Sequence, residues 1–171
     1  VATVAAVPGS SGGAAAAMSM ALLWGFTVDD ALISARVAHQ LALDHGYRFN
    51  PHGGVVDAVT PLGWAWCLVP FAKGSVQGAL EAARWLGALA WLGTGALTGL
   101  AVARVSGSPW RWLALAGMAL CVGGGAWSSS GMETPLIALL VAASLVAPGA
   151  RFALAGLAAA LRPELLPWAL V

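Results

Sequence analysis

The sequence predicts an all-α fold, a polytopic bundle with about five or six hydrophobic segments that cross a membrane. Of its 171 residues, 60% are hydrophobic and only 9% are charged, and the mean hydropathy is +0.83. Uncharged runs recur along the chain, at residues 1–28, 85–103, 112–132 and 135–150. A soluble domain of this size could not bury so much apolar surface, so a lipid bilayer is the expected solvent and partner.

The net charge, the cysteines and the tryptophans indicate which kinds of partner and site to expect. The formal net charge of +1 provides no basic field, so no nucleic-acid partner is expected. Cys67 and Cys121 both lie inside apolar runs, without the spacing of metal ligands or an obvious disulfide. Several of the nine tryptophans fall near the ends of predicted spans, where membrane proteins carry interfacial aromatic residues.

The first predicted elements are a transmembrane helix and a helix on the membrane surface. Residues 10–27 are apolar and form the first span. Residues 29–45 place apolar side chains roughly on one face and polar ones on the other, which predicts an amphipathic surface helix in the first extracytoplasmic loop. Gly46 is a natural terminator for this helix. Residues 46–60 then form a loop with dense turn chemistry around Pro51.

Five further hydrophobic segments follow the loop. The remaining predicted spans are 61–72, 84–104, 111–126, 135–148 and 152–171. The first of these is short, so it would be a thin, tilted or partly inserted segment. We expect residues 1–171 to be a single unit, the N-terminal fragment of a longer transmembrane domain.

The basic residues between the hydrophobic segments predict which side of the membrane each connector faces. Lys73 and Arg84 share one connector, which the positive-inside rule places in the cytoplasm, so the 28–60 loop would lie outside. Arg104 and Arg111 weaken this assignment, because strict alternation of the spans puts their connector outside as well.

The carboxylate pair Asp29–Asp30 is the most unusual local feature, because it directly follows a long uncharged run. Adjacent side chains on a helix point about 100° apart, so one carboxylate can face a cavity while the other meets a cation. Asp29 could simply cap the surface helix, or it could act as a general base at the membrane face. Arg36, two helical turns later, shares its face and would suit an anionic phosphate substrate, or else be a solvated arginine.

Other polar residues are candidates for a functional site. Asp30, His52 and Asp57 could ligate a divalent metal ion, although the chain has no compact ligand motif such as His-x-x-x-His. Glu133 lies in a serine-rich turn, and ionisable groups between spans are functional candidates in membrane proteins. Arg162, beside Glu164, could belong to such a site or form a simple helix-end pair.

Several stretches, taken in order, resemble a known family of membrane enzymes. They are 29–36 (DDALISAR), 45–51 (HGYRFNP), 56–60 (VDAVT) with Trp64, 130–136 (SGMETPL) and 161–164 (LRPE). The family is the bacterial GT-C glycosyltransferases, polytopic enzymes akin to the mannosyl-, arabinosyl- and aminoarabinose-transferases that use polyprenyl-phosphate sugars. The resemblance runs from about residue 26 to residue 164, which corresponds to the N-terminal part of a typical member.

The resemblance implies an inverting sugar transfer from a polyprenyl-phosphate donor to a glycan, lipid or protein acceptor. Asp29 would deprotonate the acceptor hydroxyl, and Asp30 would orient the acceptor or a metal ion, Mg²⁺ or Mn²⁺, which some relatives require. The positions that correspond to substrate or phosphate binding are Arg36, Asp57, Glu133 and Arg162. The expected location is the bacterial cytoplasmic membrane, with several passes and an extracytoplasmic active site. The fragment alone is expected to be inactive, because later helices complete the lipid groove.

The chain departs from the family pattern at three points. Leu32 stands where an aromatic residue is common, and Ala58–Val59 replaces a Gly-Tyr pair, so contacts with the acceptor would differ. Strict alternation of the spans also puts Glu133 on the opposite side of the membrane from Asp29. Either the segment 61–72 does not fully cross, or Glu133 is not part of the site.

Two other classes of function are compatible with the same residues. A proton-coupled transporter component could use Asp29, Asp30 and Glu133 to carry protons. A non-catalytic membrane scaffold would need none of them. The long amphipathic loop after the first span favours the enzyme, because transporters usually join their spans by short connections.

Overall fold

The protein is described by a computed structural model over residues 8–55, 62–105 and 110–170, and every regular element in these ranges is a helix. The predicted all-α fold is therefore confirmed. The helices are α1 (Pro8–Ala21), α2 (Asp29–Ala42), α3 (Leu62–Ala72), α4 (Val76–Val105), α5 (Trp110–Ala119), α6 (Val122–Ser129), α7 (Thr134–Val146), α8 (Arg151–Leu161) and α9 (Leu166–Ala169). Short 3₁₀ turns at Pro148–Ala150 and Pro163–Leu165 precede α8 and α9.

The candidate membrane crossings are fewer and more broken than the sequence predicts. Among the described helices, α4 alone is long and apolar enough to cross a bilayer unaided, over Val76–Arg104. The pairs α5–α6 and α7–α8 reach that length only together, with bends of 51° and 120° between their helices. The structure thus has one clear apolar span, or up to three if each bent pair is one span. Five or six spans are not confirmed.

Proline and glycine explain where the observed helices depart from the predicted segments. The predicted span 152–171 is interrupted after Leu161, because Arg162 precedes a proline and adopts an extended conformation with φ −137° and ψ 98°. The predicted span 111–126 breaks between Ala119 and Val122, and the new helix α6 then begins with three glycines in its first turns, residues of low helix propensity. Conversely, α4 begins eight residues before the predicted start at residue 84, because residues 76–83 are mostly good helix formers.

The packing of α1 against α4 forms the centre of the bundle. Gly12 and Gly95 bring the two backbones so close that a methyl group on either glycine would overlap the carbonyl oxygen of the other. The buried Trp91 indole donates a 3.1 Å hydrogen bond to the Ser19 hydroxyl, which in turn donates to the Ala16 carbonyl at 2.9 Å. Without a hydrophobic driving force in lipid, close contact through small residues and buried hydrogen bonds of this kind holds helices together.

The helices α2 and α3 form a second layer at one end of the bundle. Ala35 and Ala38 of α2 share a buried cluster with Trp64, Leu68 and Ala72 of α3. At the far end of this contact the His39 ring nitrogen lies 2.5 Å from the Ala72 carbonyl oxygen. The two helices thus pack side by side along their length, which agrees with the amphipathic pattern that predicts a surface helix from residue 29.

The placement of α3 differs from the predicted crossing at 61–72. Its 11 residues span about 16 Å, roughly half the hydrocarbon thickness of a bilayer. The connector at 73–75 follows Ala72, and the Arg84 guanidinium then donates to the hydroxyl of Thr27, which closely precedes α2. Lys73 and Arg84 therefore lie at the same end of the bundle as α2, not across a span from it as the sequence predicts.

The close contact of α1 with α4 predicts a strong effect of one added methyl group. We expect Gly95→Ala to lower the free energy of unfolding by about 1–3 kcal/mol, because the new Cβ meets the Gly12 backbone rather than a movable side chain. The measurement is SDS-induced unfolding of the protein in mixed micelles. Gly117→Ala in α5 is the control, since its Cβ would meet no described atom within 4 Å. Equal stability of the two variants would show that the contact does not constrain the bundle.

Candidate functional site

Five elements bring polar residues to one end of the bundle. The Trp64 indole of α3 donates a 3.0 Å hydrogen bond to the Gly131 carbonyl in the turn before α7. Gly131 has a φ of +92°, and an added Cβ would lie 3.0 Å from Ala31 and 2.9 Å from Leu80. This turn therefore lies directly against the first turn of α2 and the first turns of α4. We name the region around Thr27, Ala31, Trp64, Arg84 and Gly131 the site end.

The contact between Ala31 and Gly131 places Asp29 and Glu133 at the same end of the bundle, whereas strict alternation of the predicted spans puts them on opposite sides of the membrane. The two residues lie two positions from Ala31 and Gly131 respectively, and those residues are in direct contact. Because α3 packs along α2, the α2 start and the turn before α7 meet at the site end. The first of the two alternatives stated above, that the segment 61–72 does not fully cross, agrees with this arrangement.

Asp29 and Asp30 occupy the first turn of α2, and both are exposed. The N-cap position itself belongs to Val28, whose side chain makes no capping hydrogen bond. The Asp29 carboxylate instead accepts a 3.1 Å hydrogen bond from the backbone N–H of Asp30. Two carboxylates at a helix N-terminus are favoured by the helix dipole, and their exposure leaves both open to a substrate.

Glu133 and Arg162 form a buried ion pair. The Glu133 side chain is 0% exposed, and its Oε1 atom lies 2.6 Å from both Nε and one terminal nitrogen of Arg162. Its other oxygen, Oε2, is buried and has no hydrogen-bond partner among the described residues. Arg162 is therefore paired with Glu133 and not with the exposed Glu164, as the helix-end alternative would require.

A groove adjoins this ion pair on the side where Arg162 is 36% exposed. It encloses about 480 Å³ and is lined by Trp127, Thr134, Ile137, Arg162, Glu164 and Leu165. A second groove of about 450 Å³ is almost wholly apolar and is lined by Trp64, Cys67, Phe71, Leu86, Leu89, Ala90, Leu136 and Leu139. The site end thus combines a fixed guanidinium with apolar surface that could take a hydrocarbon chain.

Arg36 fastens the loop after α2. Its Nε donates to the Phe49 carbonyl at 2.9 Å, and one terminal nitrogen donates to the Asn50 amide oxygen at 2.8 Å. The guanidinium also lies 4.6 Å from the centre of the Phe49 ring. These contacts explain why the loop at 46–55 is ordered against α2, and they give Arg36 a structural role that its sequence pattern does not indicate.

The residues proposed as metal ligands are only partly described. Asp30 and the exposed His52 lie within the described ranges, whereas Asp57 lies outside them. Among residues 8–55, 62–105 and 110–170, no three His, Cys, Asp or Glu side chains come together as a metal site would require. The other two histidines are held by hydrogen-bonding groups: His39 by the Ala72 carbonyl and His45 by the Gln40 amide oxygen at 2.7 Å.

One residue of the site end was not among the predicted site residues. The sequence marks Arg84 only as part of a basic connector, yet its guanidinium reaches the Thr27 hydroxyl close to the start of α2. The two residues are 57 positions apart, and only the antiparallel packing of α1 on α4 brings them together. A local pattern could not have found this pair.

No protein-family model matches this chain, and no curated protein or solved structure matches it either. The resemblance to GT-C glycosyltransferases therefore rests on the short ordered stretches of the sequence alone. The geometry of the site end is the independent ground for assigning a function.

The buried ion pair predicts an asymmetric response to mutation. Arg162→Met leaves the Glu133 carboxylate buried without a cation, so we expect a loss of about 3–5 kcal/mol in the free energy of unfolding. Glu133→Gln should cost less, because Arg162 is partly exposed and can reach water. The double variant Glu133→Gln/Arg162→Met should be more stable than Arg162→Met alone. SDS titration of the protein in micelles measures all three, and equal losses for the two single variants would contradict a buried, coupled pair.

Proposed function

We propose that the chain belongs to a membrane glycosyltransferase that moves a sugar from a polyprenyl-phosphate donor to an extracytoplasmic acceptor. The observation that carries this proposal is the arrangement at the site end. There Ala31, which directly follows the exposed Asp29–Asp30 pair in the first turn of α2, lies against the turn that leads into the buried Glu133–Arg162 pair. A base, a fixed cation and a neighbouring apolar groove are what transfer from a lipid-linked phosphate donor requires.

We infer that the bilayer lies between Trp85 and Arg104 of α4. These residues are 19 positions apart, which corresponds to about 29 Å along a helix and matches a hydrocarbon core of about 30 Å. Trp85 packs against Trp24 with ring centres 5.0 Å apart, and both are partly exposed, as is usual for interfacial tryptophans. Arg104 donates a 3.1 Å hydrogen bond to the Val146 carbonyl, so α7 ends at the level where α4 ends.

This placement favours a bundle of five crossing segments. They are α1, α4, the α5–α6 pair, α7 and α8, which run between the site end and the opposite end, while α2 and α3 lie at the site end. At 11 residues α8 is as short as α3, so it reaches only part of the way through the hydrocarbon core. The helix ends beside the two short connections at the opposite end carry Arg104, Arg111 and Arg151. The elements at the site end carry the other five basic residues, so the positive-inside rule does not by itself orient the bundle. We infer the orientation from the proposed reaction, in which the site end faces the extracytoplasmic side of the bacterial inner membrane.

In the proposed reaction Asp29 accepts the proton of the acceptor hydroxyl as its oxygen attacks the anomeric carbon. The bond from that carbon to the phosphate oxygen breaks with inversion, and polyprenyl phosphate leaves with the electron pair. A phosphate leaving group needs little help from an acid, so a base and a cation suffice. Arg162, held in place by Glu133, presents its exposed edge to the groove and can bind phosphate oxygens there.

Asp30 is next to the base and would orient the acceptor. A divalent ion, where one is bound, would add positive charge beside the phosphate. Asp30 and His52 are the candidate ligands within the described ranges, and they do not make a complete metal site there. The base, the buried cation and the apolar grooves carry the proposal without it.

A proton-coupled transporter component is the second candidate, and one observation favours it. The Glu133 Oε2 atom is buried and has no hydrogen-bond partner in the described part of the chain, so it offers a place for a proton inside the bundle. Each transport cycle would have to break the 2.6 Å contacts with Arg162. Proton uptake by reconstituted protein that survives Asp29→Asn but not Glu133→Gln would favour transport.

The five-segment topology predicts which engineered cysteines an impermeant maleimide can reach. With Cys67→Ala and Cys121→Ala as background, Asp44→Cys and Glu164→Cys should be labelled in intact spheroplasts, because both positions lie towards the site end and are exposed. Gly149→Cys, in the connector between α7 and α8, should be labelled only after permeabilisation. Labelling of positions 44 and 164 from opposite sides would contradict the placement of α3 at the site end.

The proposed base predicts a selective loss of activity. In membranes supplied with a labelled polyprenyl-phosphate sugar, Asp29→Asn in the native protein should lower transfer by about 10²–10⁴-fold, because the general base is lost. Asp30→Asn should have a smaller effect. Asp44→Asn is the matched control, since Asp44 is an exposed acid at the other end of α2 whose φ of 59° suits asparagine. Unchanged transfer by Asp29→Asn would rule out this residue as the base.

A further inference from the structure

Arg84 lies at the site end, one residue before the interfacial Trp85. One terminal nitrogen of its guanidinium donates to the Thr27 hydroxyl, and the other lies 3.7 Å from the Glu81 carboxylate. Glu81 is 58% exposed and also accepts a 3.0 Å hydrogen bond from the Trp85 indole. An ion pair this long with an exposed, shared carboxylate is weak. Most of the positive charge of Arg84 is therefore uncompensated by the groups around it.

The Nε atom of Arg84 is buried, and no acceptor lies within hydrogen-bond range of it among the described residues. Its side chain is 24% exposed, so the guanidinium is held in the protein while part of it reaches the surface. A buried donor of a charged group without an acceptor is costly, and such groups often mark the place of a missing ligand or ion. Arg48 shares this feature, but it lies in the loop and donates to the Gly53 carbonyl at 3.0 Å.

The other arginines near the site end already have defined partners. Arg36 donates to the Phe49 carbonyl and the Asn50 side chain, so it fastens the loop. Arg162 is paired with Glu133 at 2.6 Å, which holds it beside the groove. Arg84 is thus one of the cations of this region whose charge is only weakly compensated, and its partner Thr27 lies two residues before Asp29.

A negatively charged donor needs such a cation. Asp29 and Asp30 are exposed and adjacent, so they repel a phosphate that approaches the start of α2. The base can act on an acceptor beside the donor only if this repulsion is offset locally. A guanidinium can offset it and can also bind two phosphate oxygens at once.

We propose that Arg84 binds the phosphate ester of the lipid-linked donor, with Thr27 holding its guanidinium beside Asp29. This inference rests on the proposed function and adds a residue to the same site. The position of Arg84 next to the Trp24–Trp85 pair sets the phosphate at the membrane interface, where a prenyl chain can enter the lipid phase. The ligand is an anionic phosphate ester on a long hydrocarbon chain.

The test measures binding by the native protein in detergent micelles, with three probes. These are a polyprenyl phosphate, the polyprenol of the same chain length and inorganic phosphate. We expect Arg84→Gln to weaken binding of the polyprenyl phosphate at least tenfold, and Arg84→Lys to weaken it less, since lysine keeps the charge but loses the planar fork. Binding of the polyprenol should not change. Arg104→Gln, an arginine at the opposite end of the same helix, is the control and should bind normally.

Three outcomes would overturn the assignment. They are unchanged binding by Arg84→Gln, an equal loss for the polyprenol, and the absence of polyprenyl-phosphate binding by the unmodified native protein. Equal affinity for inorganic phosphate would overturn the lipid-linked ligand. The thermal stability of each variant is compared with that of the unmodified protein, so that a loss of binding is not confused with a loss of folding. An Arg84→Lys variant of normal stability and intermediate affinity supports a binding role. These outcomes concern phosphate binding by Arg84. The proposal that the protein is a glycosyltransferase is tested separately, by sugar transfer with the Asp29→Asn variant.

Discussion

The close approach of α1 to α4 and α6 is the constraint on which the rest of the structure depends. Gly12 and Gly95 bring two backbones into contact, and Gly125 does the same against the Ser19 carbonyl. An added Cβ on Gly87 would lie only 2.6 Å from the Ser128 carbonyl oxygen. These contacts set the depth of three helices relative to one another. The ends of α1 and α6 and the first part of α4 consequently meet at one end of the bundle.

The layer of α2 and α3 is attached to this end by packing on Ala79 and Ala83 of α4 and by a hydrogen bond to the turn before α7. The Trp64 indole donates to Gly131, a residue whose positive φ suits glycine and whose contact with Ala31 leaves little room for a side chain. The same contact joins the first turn of α2, which carries the exposed carboxylate pair, to the turn that carries the buried Glu133. The chemistry proposed for the site thus depends on a glycine that has no reactive group itself.

The ion pair of Glu133 with Arg162 is costly in a chain with so few charges. Removing both groups from water carries a desolvation penalty that the mutual attraction offsets only when the geometry is good. The 2.6 Å contacts provide that geometry on one carboxylate oxygen, while the other oxygen has no partner among the described residues. Such a pair stabilises the fold weakly at best. Its value lies in holding the Arg162 guanidinium in one position beside the groove.

The local pattern of the sequence was sufficient for the helical class, the apolar character and the amphipathic helix that begins at Asp29. Periodicity and hydropathy encode these features within a few turns of helix, and α2 starts at the predicted residue. The helix breaks at Cys121 and before Pro163 are absent from the predicted span boundaries, because each lies within a long, mostly apolar run that hydropathy alone assigns to one span.

The composition of the site, by contrast, follows from packing alone. Arg162 and Glu133 are 29 positions apart and Arg84 and Thr27 are 57 positions apart, so no short pattern relates them. Strict alternation of apolar segments even placed Glu133 opposite Asp29, because length alone cannot show that α3 packs along α2. A residue pattern specifies which face of a helix is apolar. Only the tertiary structure specifies which other helix covers that face, and therefore which charges meet.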